Sequence, residues 1–200
     1  MKKVIYLIFS FIYITTYSQE YTYHYDHCDS DSSILLSKQV TLIVYDLINE
    51  YRAENGLNKL IIDTAGNFAC ESHNRYMHED NNTLGHDEFD ESNKYWRGYQ
   101  PWHRYNPVRS EIACAQYYWG SLGSNMETVD YTKYDIAKMF LKSWKRSPGH
   151  NRAMLRSDIK YMSGYANIFV IHKEKEGTGE FADMFRHVYE WSNFATCTFY

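Results

Sequence analysis

Three residues far apart along the chain have the chemistry of a metal or proton-handling site. They are His86 in Leu84-Gly85-His86, Glu111 in Arg109-Ser110-Glu111-Ile112-Ala113, and His150 at the end of Trp144-Lys145-Arg146-Ser147-Pro148-Gly149-His150. The neutral imidazole nitrogens of His86 and His150 can ligate zinc or a similar divalent ion and leave positions open for water. Glu111 can hydrogen-bond that water or take up its proton as a general acid/base. The two histidines are too distant in sequence to form a short metal motif such as His-Glu-x-x-His, so only the fold can bring the three together. Two nitrogens without a third protein ligand make a weak metal site.

The last of these segments reads as a helix start. Ser147 is placed to cap it, and Pro148 fits the first helical position, where its missing amide would have had no partner. His150 then falls in the first turn and is held by a rigid element end. Ser147 beside His150 also has the makings of a serine nucleophile, but a capping hydroxyl is committed to backbone amides, which argues against it.

The elements that must position these residues follow from periodicity. Apolar residues at Val40, Val44, Leu47, Ile48 and Tyr51 predict a helix from Gln39 to Asn55, ended by Gly56. Leu60-Ile61-Ile62 is a short apolar connector, and Asp63 or Thr64 can cap a second helix through about His78. Its inward face would include Phe68, Ala69, Ser72 and Tyr76. From Asn81 to Ser110 the chain is polar and aromatic with Pro101 and Pro107, a long surface loop of the kind that is functional or disordered. Ile112 to Trp119 suits an extended segment, Tyr131 to Arg146 a third helix and Pro148 to about Arg156 a fourth. Gly164 to His172 and Val188 to Tyr200 read as strands, with the turn region Lys173 to Phe181 between them. Helices followed by antiparallel strands predict an α+β fold. Trp144 is a core anchor and His73 a core or supporting histidine, whereas His78, His103, His172 and His187 read as surface residues.

Bulk properties narrow the class. Two hundred residues suit one domain. The formal charge of −4 becomes more negative once Lys2 and Lys3 leave with a leader, and without a Lys/Arg cluster the chain is a poor nucleic-acid binder. Residues 1–18 read as a signal peptide: Lys2 and Lys3, an apolar run from Val4 to Ile14, then Thr16-Tyr17-Ser18 before Gln19. The run is too short to span a bilayer, no second one follows, and the reading is therefore a secreted protein with no transmembrane segment. Residues 19–38 form a polar N-terminal tail and residues 39–200 the folded domain. Four cysteines in an exported chain suggest two disulfides, with three possible pairings. The 20 tyrosines can stack on sugars or line a groove, although biased composition is the plainer account of their number.

From about Val40 onward the chain resembles the CAP superfamily of cysteine-rich secretory proteins, venom allergens and pathogenesis-related proteins, and is most similar to its compact bacterial branch. The resemblance rests on Leu47-Ile48-Asn49-Glu50-Tyr51-Arg52-Ala53-Glu54-Asn55-Gly56-Leu57, then Leu60, Asp63, Cys70, His73, Met77 and His86, then Glu111, then Trp144 to His150. It departs from the family at Ile112, where an asparagine is expected, and after His150, where Asn151 stands in place of an arginine. Ser147 also departs, since animal members place a second acidic residue there, so the four-residue His-Glu-Glu-His site is incomplete.

The resemblance implies a three-layer α-β-α sandwich with a central antiparallel sheet, and a groove holding His86, Glu111, His150 and Ser147. It also implies a pairing of the cysteines. Cys70 and Cys114 occupy positions where relatives often carry alanine, which suggests that they bond to each other and leave Cys28 to Cys197. Three functional classes remain. They are an extracellular binding module for a lipid, sugar or peptide with weak zinc binding, a metal-assisted hydrolase or peptidase using His86, Glu111 and His150, and a stable secreted scaffold acting through its surface on other cells; in each case the chain is expected to be a monomer. Lack of a second acidic residue and of a third metal ligand favours binding over catalysis.

Overall fold

The computed structural model describes residues 30–80, 83–121, 132–174 and 187–200. Along them run α1 (Ser30–Glu54), β1 (Ile61–Ile62), a 3-10 turn (Thr64–Gly66), α2 (Asn67–Glu79) and α3 (Pro101–Arg104). Then follow β2 (Ser110–Ser121), α4 (Lys133–Arg146), α5 (Pro148–Met154), β3 (Tyr161–Glu174) and β4 (His187–Phe199). The strands form one sheet in the order β1-β3-β4-β2.

Strand alternation sets the layers. Ile112 and Cys114 of β2 and Ala195, Cys197 and Phe199 of β4 point to one face, into a core shared with Val40 and Ile48 of α1 and Phe140 and Trp144 of α4. Ala113 and Phe194 point to the other face and meet Met77 of α2. Helices therefore cover both faces, and the fold is the α-β-α sandwich expected. The sheet is not wholly antiparallel: β2–β4 and β3–β4 pair antiparallel, but β1 joins β3 in parallel through Ile61 and Ile62.

Because β1 pairs only with the start of β3, the remainder of that strand's outer edge needs other partners. Helix α1 supplies them. Ser37 Oγ accepts from the Ile168 amide at 3.0 Å, Thr41 Oγ1 from the Ala166 amide at 3.0 Å, and the Tyr45 hydroxyl donates to the Gly164 carbonyl at 2.7 Å. This is why α1 already runs through Leu36 and Ser37, ahead of the boundary expected at Gln39: both are buried parts of the domain. Residues 1–18 and the tail up to residue 29 lie outside the described residues, as does most of the expected turn between Lys173 and Phe181.

Two further details hold the site-bearing elements. Arg52, buried near the end of α1, donates from Nη1 to the carbonyls of Met154 and Arg156 at 2.6 and 2.9 Å and from Nε to Asn58. It thereby ties α1 to the exit of α5. Tyr51 adds a hydrogen bond to Asn151 Oδ1 at 2.9 Å. Helix α4 starts at a capping box in which Thr132 and Asp135 satisfy each other's amides, and buries Ile136, Ala137, Phe140 and Trp144.

Three local expectations are corrected. Phe68 is 61% exposed, because α2 turns Ala69, Cys70, Ser72, His73, Asn74, Tyr76 and Met77 inward and leaves Phe68 under the Arg97 guanidinium. His78 is half-buried, stacked on Phe169 with ring centroids 4.0 Å apart. The Cys70–Cys114 bond is not formed: Cys70 and Cys114 are free thiols, as is Cys197. Cys70 Sγ lies on the α2 side, 3.8 Å from Thr198 Oγ1, whereas Cys114 belongs to the core on the opposite side of the sheet. Cys28 lies outside the described residues.

Candidate functional site

Helix α2, the segment after it, α3 and the start of β2 meet at Glu111. Its Oε1 lies 3.1 Å from His86 Nδ1 and 3.6 Å from His73 Nε2, and its Oε2 lies 2.6 Å from Arg104 Nη2. The Glu111 side chain is 3% exposed, Arg104 1% and His73 0%, whereas His86 is 46% exposed. A buried ionic floor thus carries a half-open histidine. The ring of His150, from the first turn of α5, stands edge-on to that of His86 with centroids 5.9 Å apart.

The fold therefore brings His86, Glu111 and His150 together. Ser147 sits at the α4–α5 junction with extended backbone, and its carbonyl accepts from the Asn151 amide at 2.8 Å. Its side chain makes no capping hydrogen bond, so the hydroxyl is not committed to backbone amides as its position at the helix start predicts. Pro148 occupies the first helical turn as expected.

Two residues of this floor were not legible in the sequence, Arg104 and Glu88. Glu88 is fully buried and accepts from His73 Nδ1 at 3.0 Å and from the Arg97 amide at 2.7 Å, while its own amide donates to the Tyr99 carbonyl. Arg104 Nε lies 3.5 Å from Glu88 Oε1, and Arg104 Nη1 donates to the His86 carbonyl at 2.9 Å. One guanidinium thus reaches two carboxylates and the backbone of the histidine beside them. His73, read from the sequence as a core or supporting histidine, completes the floor by facing the Gly85 carbonyl with Nε2 at 3.0 Å.

Arg104 is aimed by its surroundings. Pro101 opens α3, and Gly98, at φ +145°, lets the preceding loop pass against it. A Cβ at Gly98 would lie 2.8 Å from His103 Cβ and 3.3 Å from the Arg104 amide nitrogen. The next residue, Tyr105, donates from its hydroxyl to Asp63 Oδ2 at 2.7 Å, and Tyr200 bonds the same oxygen.

Electrostatics divide the three groups. Burial pushes the Glu111 carboxyl up, but His73, the His86 hydrogen bond and Arg104 outweigh it and hold the group below its ordinary 4.5. The hydrogen bond to Glu111 raises His86 above its ordinary 6.5 against the opposing effect of burial. Burial, and then the neighbouring His86, lowers His150. Among the described residues no group of three or more His, Cys, Asp or Glu is arranged to hold a metal ion.

Residues 45–167 match the CAP family, the cysteine-rich secretory protein family. The chain belongs to that family. As a CAP protein it has no match among the curated proteins. Among solved structures it is similar to an extracellular protein containing an SCP domain from Bacillus anthracis, at 16% identity and TM-score 0.47, over 84% of this chain and 44% of that one. It is similar to an outer surface protein of Borrelia burgdorferi at 18% identity and TM-score 0.44, over 81% and 92%. A cysteine-rich secretory protein of Staphylococcus aureus matches at 17% identity and TM-score 0.37, over 82% and 38%. This CAP chain therefore spans less than half the length of the Bacillus and Staphylococcus proteins. No helix among its described residues is long and apolar enough to cross a membrane.

Proposed function

We propose that this chain is an exported binding module whose groove, floored by Glu111 and flanked by His86 and His150, takes an extracellular lipid, sugar or peptide and binds zinc or a similar divalent ion weakly. One observation carries the preference for binding over catalysis: both oxygens of Glu111 are already engaged, by His86 on one side and Arg104 on the other. A general base works best with a pKa near the operating pH and a free lone pair facing substrate. Glu111 is held below its ordinary range and faces protein. The segment carrying His86 also exposes Leu84, Phe89, Tyr99 and Trp102, side chains that offer a ligand apolar and aromatic contact. The lysine pair and apolar run of residues 1–18 support export.

The donor set fits zinc modestly. His86 and His150 each offer an imidazole nitrogen, and Glu111 stands behind His86 as the carboxylate partner that metal-binding histidines commonly have. A bound ion there would polarise a ligand oxygen. Calorimetric zinc titration of the wild type and of His150→Ala tests the reading. Measurable binding that is weakened at least tenfold by the substitution supports it, and equal affinity in the two proteins places the metal elsewhere.

The opposed shifts of His86 and His150 favour a second reading, a metal-assisted hydrolase, because an acid and a base side by side show this pattern. Zinc-dependent turnover of peptide or ester substrates that disappears in His86→Gln would establish it in place of the first.

A further inference from the structure

We infer that Arg104 is a positioning residue for the groove: by holding the Glu111 carboxylate with one oxygen turned to His86, and the His86 backbone beside it, it keeps the proton of neutral His86 on Nδ1 and the lone pair on Nε2. The inference rests on the proposed binding role of His86 for its meaning, but its geometry is independent of any ligand.

Arg104 Nη2 approaches Glu111 Oε2 at 2.6 Å with both side chains nearly sealed from solvent. A guanidinium only donates and an ionised carboxylate only accepts, so this contact settles which oxygen remains for His86. The remaining oxygen, Oε1, lies 3.1 Å from His86 Nδ1. Since Oε1 has no proton to give, Nδ1 must be the donor, and the neutral ring keeps its lone pair on Nε2. Arg104 also holds the His86 backbone, through the carbonyl at 2.9 Å, so one side chain sets both the position of that residue and the tautomer of its ring. The ring itself is half exposed and edge-on to His150, where a lone pair is available to a metal ion or a donor group of a ligand.

Lysine cannot replace this arrangement. A single ammonium at the end of a flexible stem does not present the planar fork that reaches Glu111, Glu88 and the His86 carbonyl from one fixed plane. Glutamine at position 111 gives a sharper consequence. Its amide oxygen would have to face Arg104, which donates only, so its amide nitrogen would face His86 Nδ1 and require an acceptor there. The proton of His86 would then move to Nε2.

Long-range proton–nitrogen NMR correlation reads the tautomer directly, with His86 assigned by comparison with His86→Gln and spectra taken at about pH 9, where imidazoles are neutral. Wild type should show a protonated Nδ1 and an unprotonated Nε2. Arg104→Lys should show a mixture, and Glu111→Gln a majority with the proton on Nε2. Zinc titration of the same proteins should show roughly 10- to 100-fold weaker binding in both variants, the effect typical of losing a group behind a metal-binding histidine. A wild-type ring protonated on Nε2, or a Glu111→Gln ring still protonated on Nδ1, overturns the inference even if Arg104→Lys fails to fold. Arg104→Lys that folds with tautomer and zinc affinity unchanged overturns it as well. Wild type that binds no zinc yet shows the expected tautomers removes the proposed metal binding and leaves the positioning role standing.

Discussion

Arg104 and Glu111 meet at 2.6 Å with their side chains only 1% and 3% exposed. They lie only seven residues apart in sequence but on different elements, α3 and β2. The contact is what turns two histidines and a carboxylate from neighbours into an oriented site. The cost of removing it follows from burial. Breaking one side of a buried ion pair leaves an uncompensated charge in low dielectric, about 3–5 kcal/mol.

Arg104→Ala is therefore expected to lower the unfolding free energy by about 3–5 kcal/mol, since it strands Glu111 and Glu88 together. Adding Glu111→Gln to that variant should recover part of the loss, as partners in one network are not additive. Urea denaturation of the two single variants and the double variant measures both effects.

The pH dependence has two limbs of opposite sign. Glu111 is held below 4.5, so the stability it contributes is complete above that value and is lost as pH falls through the lower folded-state value. His86 is raised above 6.5, so its contribution is complete below 6.5 and is lost as pH rises through its raised value. Because each shift is caused in part by the other group, Glu111→Gln is expected to flatten both limbs. Urea midpoints followed from about pH 3 to about pH 9 would show it.

Gly98→Ala is expected to displace α3. The substitution forces a side chain onto a φ of +145° and into His103, 2.8 Å away, at a cost of about 1–3 kcal/mol. Zinc affinity should fall with stability, because Arg104 moves with the helix. Thermal unfolding and calorimetry on the same sample check that the two losses occur together.

The three described thiols are expected to be inert in the native protein. Cys70, Cys114 and Cys197 are buried, and burial pushes Cys70 up to about 12 and raises the other two. A thiol reagent should label them only after unfolding in denaturant. A peptide map under non-reducing conditions that links Cys70 to Cys114 would contradict the structure.

The site was legible only where residue type and local context coincided. His150 could be placed because Ser147-Pro148 marks a helix start, and β3 and β4 because their apolar runs flank a stretch that holds Gly177 and Gly179. His86 and Glu111 could be paired by family resemblance and by nothing in their spacing. Glu88 and Arg104 carried no local signal: Glu88 is one of several acidic residues in a polar loop, and Arg104 lies on a four-residue helix with no periodicity to show that it is buried. The early start of α1 was hidden for a related reason. Ser37 and Thr41 are polar, and their burial is explained only by the unpaired edge of β3, which belongs to the other end of the chain. The Cys70–Cys114 pairing failed because alternation along β2 and β4 sends Cys114 to the face opposite Cys70, a relationship that residue types at two positions do not contain.

His86 and His150 are expected to act as one site. In a zinc titration followed by histidine ring resonances at neutral pH, both rings should shift with a single midpoint, His78 and His103 should not follow, and the midpoint should move to higher zinc as the solution is acidified and the imidazoles take up protons. Separate midpoints for His86 and His150, or a response led by another histidine, would contradict it.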